Sequence, residues 1–243
     1  PLKLSKNYPE KSKSVPNDTK SYLLLGDMYF KNSDYIDAIS YYMRALLIEN
    51  QLQHANLFMG KSLYNLKYYQ DAITKLNQFV ESDPNNFDSK QYLGMSYYYT
   101  ENYEKAIAEL TNALLINGNN FNTYYYLGKS YNKLNKKKQA LESFHKSIEC
   151  NPVNGEAHFE LGFIYESILK LEKAMYHYKI ARKYIDSEIL NYNFGLLLYN
   201  SESFQDALYP SREYIIYNPQ DIKILEILGD IFIIENRYSE AID

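Results

Sequence analysis

Small and large apolar residues recur along this chain with a long, fixed period. Seven glycines share one register, Gly26, Gly60, Gly94, Gly128, Gly162, Gly195 and Gly229, at intervals of 34, 34, 34, 34, 33 and 34 residues. Twelve residues after each comes an alanine: Ala38, Ala72, Ala106, Ala140, Ala174, Ala207 and Ala241. A large apolar residue precedes each glycine (Leu25, Met59, Leu93, Leu127, Leu161, Phe194, Leu228). Another follows three residues later (Tyr29, Leu63, Tyr97, Tyr131, Tyr165, Leu198, Phe232). A period of this length marks an array of stacked supersecondary units.

With the glycine counted as position 8, positions 4, 7, 8 and 11 share one face of a 3.6-residue-per-turn helix. That face is expected to pack on a second helix of the same copy. Glycine costs ~1 kcal/mol inside a helix, so its use there implies a close backbone approach. Alanine at position 20 plays the same part from the second helix. Pro84, Pro152 and Pro219 end that helix and open the turn to the next copy. Such short helices are marginal alone in water, so their neighbours must supply stability.

These columns resemble the tetratricopeptide repeat family, whose pattern sets a large residue at 4, Leu-Gly at 7–8, Tyr at 11, Ala at 20 and 27, and Pro at 32. The resemblance spans nearly the whole chain and implies an all-α fold, a right-handed superhelical solenoid of antiparallel helix pairs. The copies are read as 19–52, 53–86, 87–120, 121–154, 155–187, 188–221 and a truncated 222–243, after a polar, flexible leader over 1–18 that contains Pro1, Pro9 and Pro16. Position 4 departs from the pattern at Asn56 and Lys90, and position 27 at Phe79, Ser147 and Tyr214. One residue is missing before Glu188, and Pro210 falls inside a second helix, where it is expected to produce a kink. The last copy's first helix is apolar nearly all round, from Ile222 to Ile234, so either the chain continues or a partner covers this end.

In this family the first helices line a concave groove that takes peptides or helices of partner proteins through positions 2, 5, 9, 12 and 13. The resemblance implies a partner-binding set here of Lys61, Tyr64, Met95, Tyr98, Tyr99, Tyr125, Lys129, Asn132, Phe159, Phe163, Tyr192 and Tyr199. A face this aromatic suits an interaction surface, although several of these tyrosines could instead pack between neighbouring first helices. The chaperone-binding subset of the family grips a C-terminal carboxylate with Lys, Asn and Arg at positions 5 and 9 of three successive repeats. No three successive copies match here, since those positions include Leu57/Lys61, Gln91/Met95 and Tyr125/Lys129. No such clamp is expected.

Composition narrows the function further. The net charge is -4, from 26 Lys+Arg and 30 Asp+Glu, without the basic footprint of a nucleic-acid binder. Cys150 is the one cysteine, which excludes an intramolecular disulfide or a cysteine-rich metal site and leaves the compartment open between cytoplasm and export. No apolar run reaches the ~20 residues of a membrane span. His54, His145, His158 and His177 fall at positions 2, 25, 4 and 23, on no common helical face and in no metal-ligand spacing. The basic turn of Lys133, Lys136, Lys137 and Lys138 reads as solvated. No catalytic motif, cofactor or metal site is expected.

The function read from the sequence is therefore a protein–protein interaction scaffold and not an enzyme. Two alternatives remain: a self-assembling subunit that pairs end to end through the apolar last copy, or the recognition arm of an enzyme whose catalytic domain lies outside these residues.

Overall fold

The computed structural model describes residues 18–242. The leader expected over 1–18 lies outside the described residues apart from Asp18, as does Asp243. Among the described residues there are fourteen helices and no strand. The first helices of the seven copies are α1 (Thr19–Lys31), α3 (Gln53–Asn65), α5 (Phe87–Tyr99), α7 (Phe121–Lys133), α9 (Gly155–Ser167), α11 (Glu188–Asn200) and α13 (Ile222–Ile234). The second helices are α2 (Tyr35–Ile48), α4 (Tyr69–Val80), α6 (Tyr103–Ile116), α8 (Lys137–Cys150), α10 (Leu171–Ala181), α12 (Phe204–Tyr217) and the short α14 (Tyr238–Ile242).

Six of the seven first helices begin, and all seven end, by the same local chemistry. Asp18, Asn86, Asn120, Asn154, Ser187 and Asp221 stand just before a first helix, and their side chains accept the N–H of the third helical residue. They satisfy a donor that the helix leaves unpaired. Leu52 holds this place in the second copy and caps nothing, but it packs against the core. At the other end, position 15 has positive φ in every copy: Ser33, Lys67, Glu101, Asn135, Leu169, Glu202 and Asn236, with φ between 57° and 65°. The next N–H returns to the carbonyl of position 11, as from Tyr68 to Leu63 and from Lys170 to Tyr165, both at 2.9 Å. This is a Schellman stop, and it turns the chain into the second helix.

The chain divides into two compact units, one ending at Lys136 and the other beginning at Lys137, so the division falls inside the fourth copy. In the first unit α1 pairs with α2, α3 with α4 and α5 with α6, and each second helix packs on the next first helix. Here α1 also touches α3, α3 touches α5 and α5 touches α7, while no two second helices pack comparably. The first helices therefore line the inner side of this unit.

The glycine column is filled from position 24. A Cβ on Gly26 would lie 2.5 Å from the Tyr42 ring, on Gly60 2.6 Å from Leu76 Cγ, and on Gly94 2.5 Å from Leu110 Cγ. Ala38, Ala72 and Ala106 at position 20 are wholly buried beside them. The irregular position 4 is met from position 23: Lys90 Nζ pairs with Glu109 Oε2 of α6 at 2.9 Å, with both side chains largely buried.

In the second unit α9 pairs with α10 and α11 with α12; α8 packs on α9, α10 on α11, and α12 on α13. Gly162 and Gly195 are covered by Tyr178 and Ser211, again from position 24. The residue missing before Glu188 coincides with a shortened α10 of 11 residues. Pro210 is buried within α12, whose helical run continues through it to Tyr217.

Candidate functional site

The inner side of the first unit is a lattice of side chains that tie one first helix to the next. From position 9 of one copy to position 2 of the next, Asp27 Oδ1 meets His54 Nε2 at 2.7 Å, Lys61 Nζ meets Asp88 Oδ2 at 2.7 Å, and Asn122 Nδ2 donates to Met95 Sδ at 3.6 Å. Each link spans 27 residues, a spacing readable in the sequence once the register is known.

Tyrosines fill the face between these links. Tyr69 stacks on Tyr99 with ring centroids 4.4 Å apart, and Tyr64 meets Tyr92 edge-on at 5.1 Å. The Tyr64 hydroxyl donates to that of Tyr126 at 3.3 Å, and the Tyr99 and Tyr126 hydroxyls lie 2.9 Å apart. Burial pushes the Tyr64 and Tyr126 phenols well above their ordinary range, so both stay neutral and hydrogen-bonded. Tyr69, Tyr92 and Tyr126 were not among the expected binding residues. They sit at positions 17, 6 and 6, outside the groove set, and join the face because α4, α5 and α7 bring them beside it.

The expected residues fall into three groups. Tyr99 is exposed at 40%, and Lys61, Tyr64, Tyr125, Lys129 and Asn132 are half-buried on the same face. Met95 and Tyr98 are buried, 3% and 8% exposed, and support the face from beneath. Phe159, Phe163, Tyr192 and Tyr199 belong to the second unit. There Phe163 is 49% exposed, whereas Tyr192 packs on Tyr214 of α12 at 5.0 Å and the Tyr199 hydroxyl donates to Asp230 Oδ2 at 2.6 Å.

Three of the four histidines, which share no helical face, come together between helices. Positions 4 and 23 of one copy face each other, and His158 Nδ1 lies 2.9 Å from His177 Nδ1, both rings buried. His145 Nε2, from the preceding second helix, is 2.8 Å from the Tyr165 hydroxyl, and Tyr165 stacks on His177. His158 Nε2 faces the Pro152 carbonyl at 3.2 Å and so carries a proton. Its Nδ1 then accepts, and His177 Nδ1–H donates. Burial lowers all three imidazole pKa values, that of His177 to about 4. Among the described residues no group of three or more His, Cys, Asp or Glu is arranged to hold a metal ion. No helix there is long and apolar enough to cross a membrane.

No curated protein matches the chain by sequence. The family described as "Tetratricopeptide repeat" matches residues 19–52, and that described as "Anaphase-promoting complex, cyclosome, subunit 3" matches 76–147. A crystal structure of MamA is 26% identical over 65% of this chain and 93% of its own, with a TM-score of 0.60. MamA from Desulfovibrio magneticus RS-1 is 20% identical over 70% of this chain and 96% of its own, at 0.64. The pilF protein of Pseudomonas aeruginosa is 18% identical over 87% of this chain and 97% of its own, at 0.75. The repeating columns, the capped helix pairs and these likenesses agree on an all-α array of tetratricopeptide-type helix pairs, with the family's own pattern matched over residues 19–52.

Proposed function

We propose that this chain is a protein-binding scaffold whose first unit holds an extended peptide or a helix of a partner protein against the inner face of α3, α5 and α7. The observation that carries the reading is the partly exposed aromatic and basic surface formed by Tyr99, Tyr125 and Lys129 over a buried footing of Met95 and Tyr98. Such a surface offers large apolar contact area with little side-chain entropy to lose, and a built lattice needs little rearrangement to bind. In the second unit Phe163 offers an exposed ring at the equivalent position 9.

Site-specific photo-crosslinking in the native source tests this. A benzophenone side chain at Tyr99 or Tyr125 is expected to capture a protein partner that is not captured from Ile36 or Leu115, both exposed on second helices. Crosslinks from the second-helix positions alone would refute the inner-face reading.

A second reading, self-association through the last copy, draws on the exposure of Ile222, Leu225, Ile233 and Ile234. Ile231, in contrast, is fully buried, so only the outer isoleucines give a clean test. Sedimentation mass that rises with concentration and falls in Ile233→Glu/Ile234→Glu supports this reading; a concentration-independent monomer removes it.

A further inference from the structure

Two lysines at position 9, Lys61 and Lys129, each place an ammonium among three aromatic rings. Around Lys61 Nζ the ring centroids of Phe58, Tyr92 and Phe30 lie at 5.0, 5.3 and 5.6 Å. Around Lys129 Nζ those of Tyr98, Tyr125 and Tyr126 lie at 4.9, 5.3 and 5.8 Å. Ring faces attract a cation but do not replace the hydrogen bonds it loses on burial. Lys61 recovers one from Asp88, 2.7 Å away. No carboxylate of the first unit forms an ion pair with Lys129 among the described residues.

Within the first unit the surroundings of Lys129 offer no substitute. Helix α7, from Phe121 to Lys133, has no Asp or Glu, and Lys133 and Lys136 stand exposed at its end. Asp88, the acidic residue of α5, is already engaged by Lys61. The amide of Gln91 donates to both Asn120 Oδ1 and Thr123 Oγ1 and is not available to a ligand.

We infer that Lys129 is the anchor for an Asp or Glu side chain of an acidic segment of a partner protein laid across α5 and α7, its carboxylate occupying beside Lys129 the place that Asp88 fills beside Lys61. The inference rests on the inner-face reading and gives it a partner chemistry. A side-chain carboxylate fits better than a C-terminal one, because position 5 here is Tyr125 and the preceding position 9 is Met95, so no second donor converges on a terminal group. Opposite charge at a partly desolvated site adds selectivity for acidic over neutral segments.

The test is selection from a displayed library of random, C-terminally blocked peptides on the whole chain, on Lys129→Met and on Lys133→Gln. Methionine keeps the apolar stem beneath the rings, and an unchanged melting temperature confirms that the fold is intact. The expected result is enrichment of Asp or Glu at one peptide position on the parent chain and on Lys133→Gln, lost on Lys129→Met. A selected peptide should bind about tenfold more weakly when that residue becomes its amide, or when Lys129 becomes Met. Peptides that bind the inner face, with binding lost in Tyr99→Ala, but show no acidic position would overturn the anchor and leave the inner-face reading standing. Peptides indifferent to Tyr99→Ala would sink both. Glu156 follows Lys129 by 27 residues, as Asp88 follows Lys61. Acidic enrichment that appears only after Glu156→Gln would overturn the proposal of an open anchor.

Discussion

At the scale of single residues the repeat is governed by what stands opposite each glycine and by one strained turn position. A methyl group on Gly94 would run into Leu110, whose backbone N is also only 3.1 Å away. Gly94→Ala should therefore cost ~1–3 kcal/mol by overpacking. Denaturant titration checks this, and an unchanged or raised stability would contradict it. Position 15 carries a second expectation. Leu169 sits at φ 59° with its side chain 83% exposed, so it bears the left-handed cost with little burial in return. Leu169→Asn should raise stability by ~1 kcal/mol in the same assay.

At the scale of helices, stability lies in the ends and in the pairs that cross between helices. Asn120 Oδ1 accepts from Thr123 N, Thr123 Oγ1 and Gln91 Nε2, each at 2.9 Å, so it caps α7 and joins it to α5 at once. Asn120→Ala should cost ~1–2 kcal/mol, more than a cap serving one helix, as read by thermal melting. The histidine pair sets a pH dependence. Its imidazoles are held neutral, with folded pKa values below the unfolded value near 6.5. Their contribution is thus complete above that value and is lost as pH falls toward about 4, the pKa of His177. The groups facing the pair are His145, Tyr165, Lys173 and the Pro152 carbonyl, with Glu149 near His145. Lys173 and His145 oppose a charge on His177, and His145 opposes one on His158, while Glu149 favours one on His145. Melting temperature should fall between pH 7 and 5 in the parent chain, and fall less in His177→Gln.

The glycine and alanine columns made the helix pairs legible because close approach admits few residue types. The caps at Asp18, Asn86, Asn120, Asn154, Ser187 and Asp221 form a column too, broken by Leu52, but a polar residue in a turn does not by itself mark a helix start. The histidine pair was hidden for a different reason. A helical wheel describes one helix, and positions 4 and 23 meet only after two helices have packed. The same limit put Met95 and Tyr98 in the expected binding set: register gives a direction from the axis, while burial depends on the neighbouring helix.

At the scale of the molecule the two units differ in what they respond to. The second holds His145, His158 and His177, and the first, among its described residues, holds only His54, which is exposed and paired with Asp27. Mild acid should therefore loosen the second unit first. Amide exchange at pH 5 is expected to quicken in α8–α10 before it does in α1–α6; simultaneous quickening would show that the histidines do not set the order. The inner face of the first unit has a mechanical consequence as well. Its links from Asp27 to His54, Lys61 to Asp88 and Met95 to Asn122 tie successive copies together and lie on the face proposed to meet a partner. A ligand that competes for one link slackens the array at that step, and one that bridges two stiffens it. Occupancy is then written into the compliance of the unit, where a force measurement on its two ends would read it.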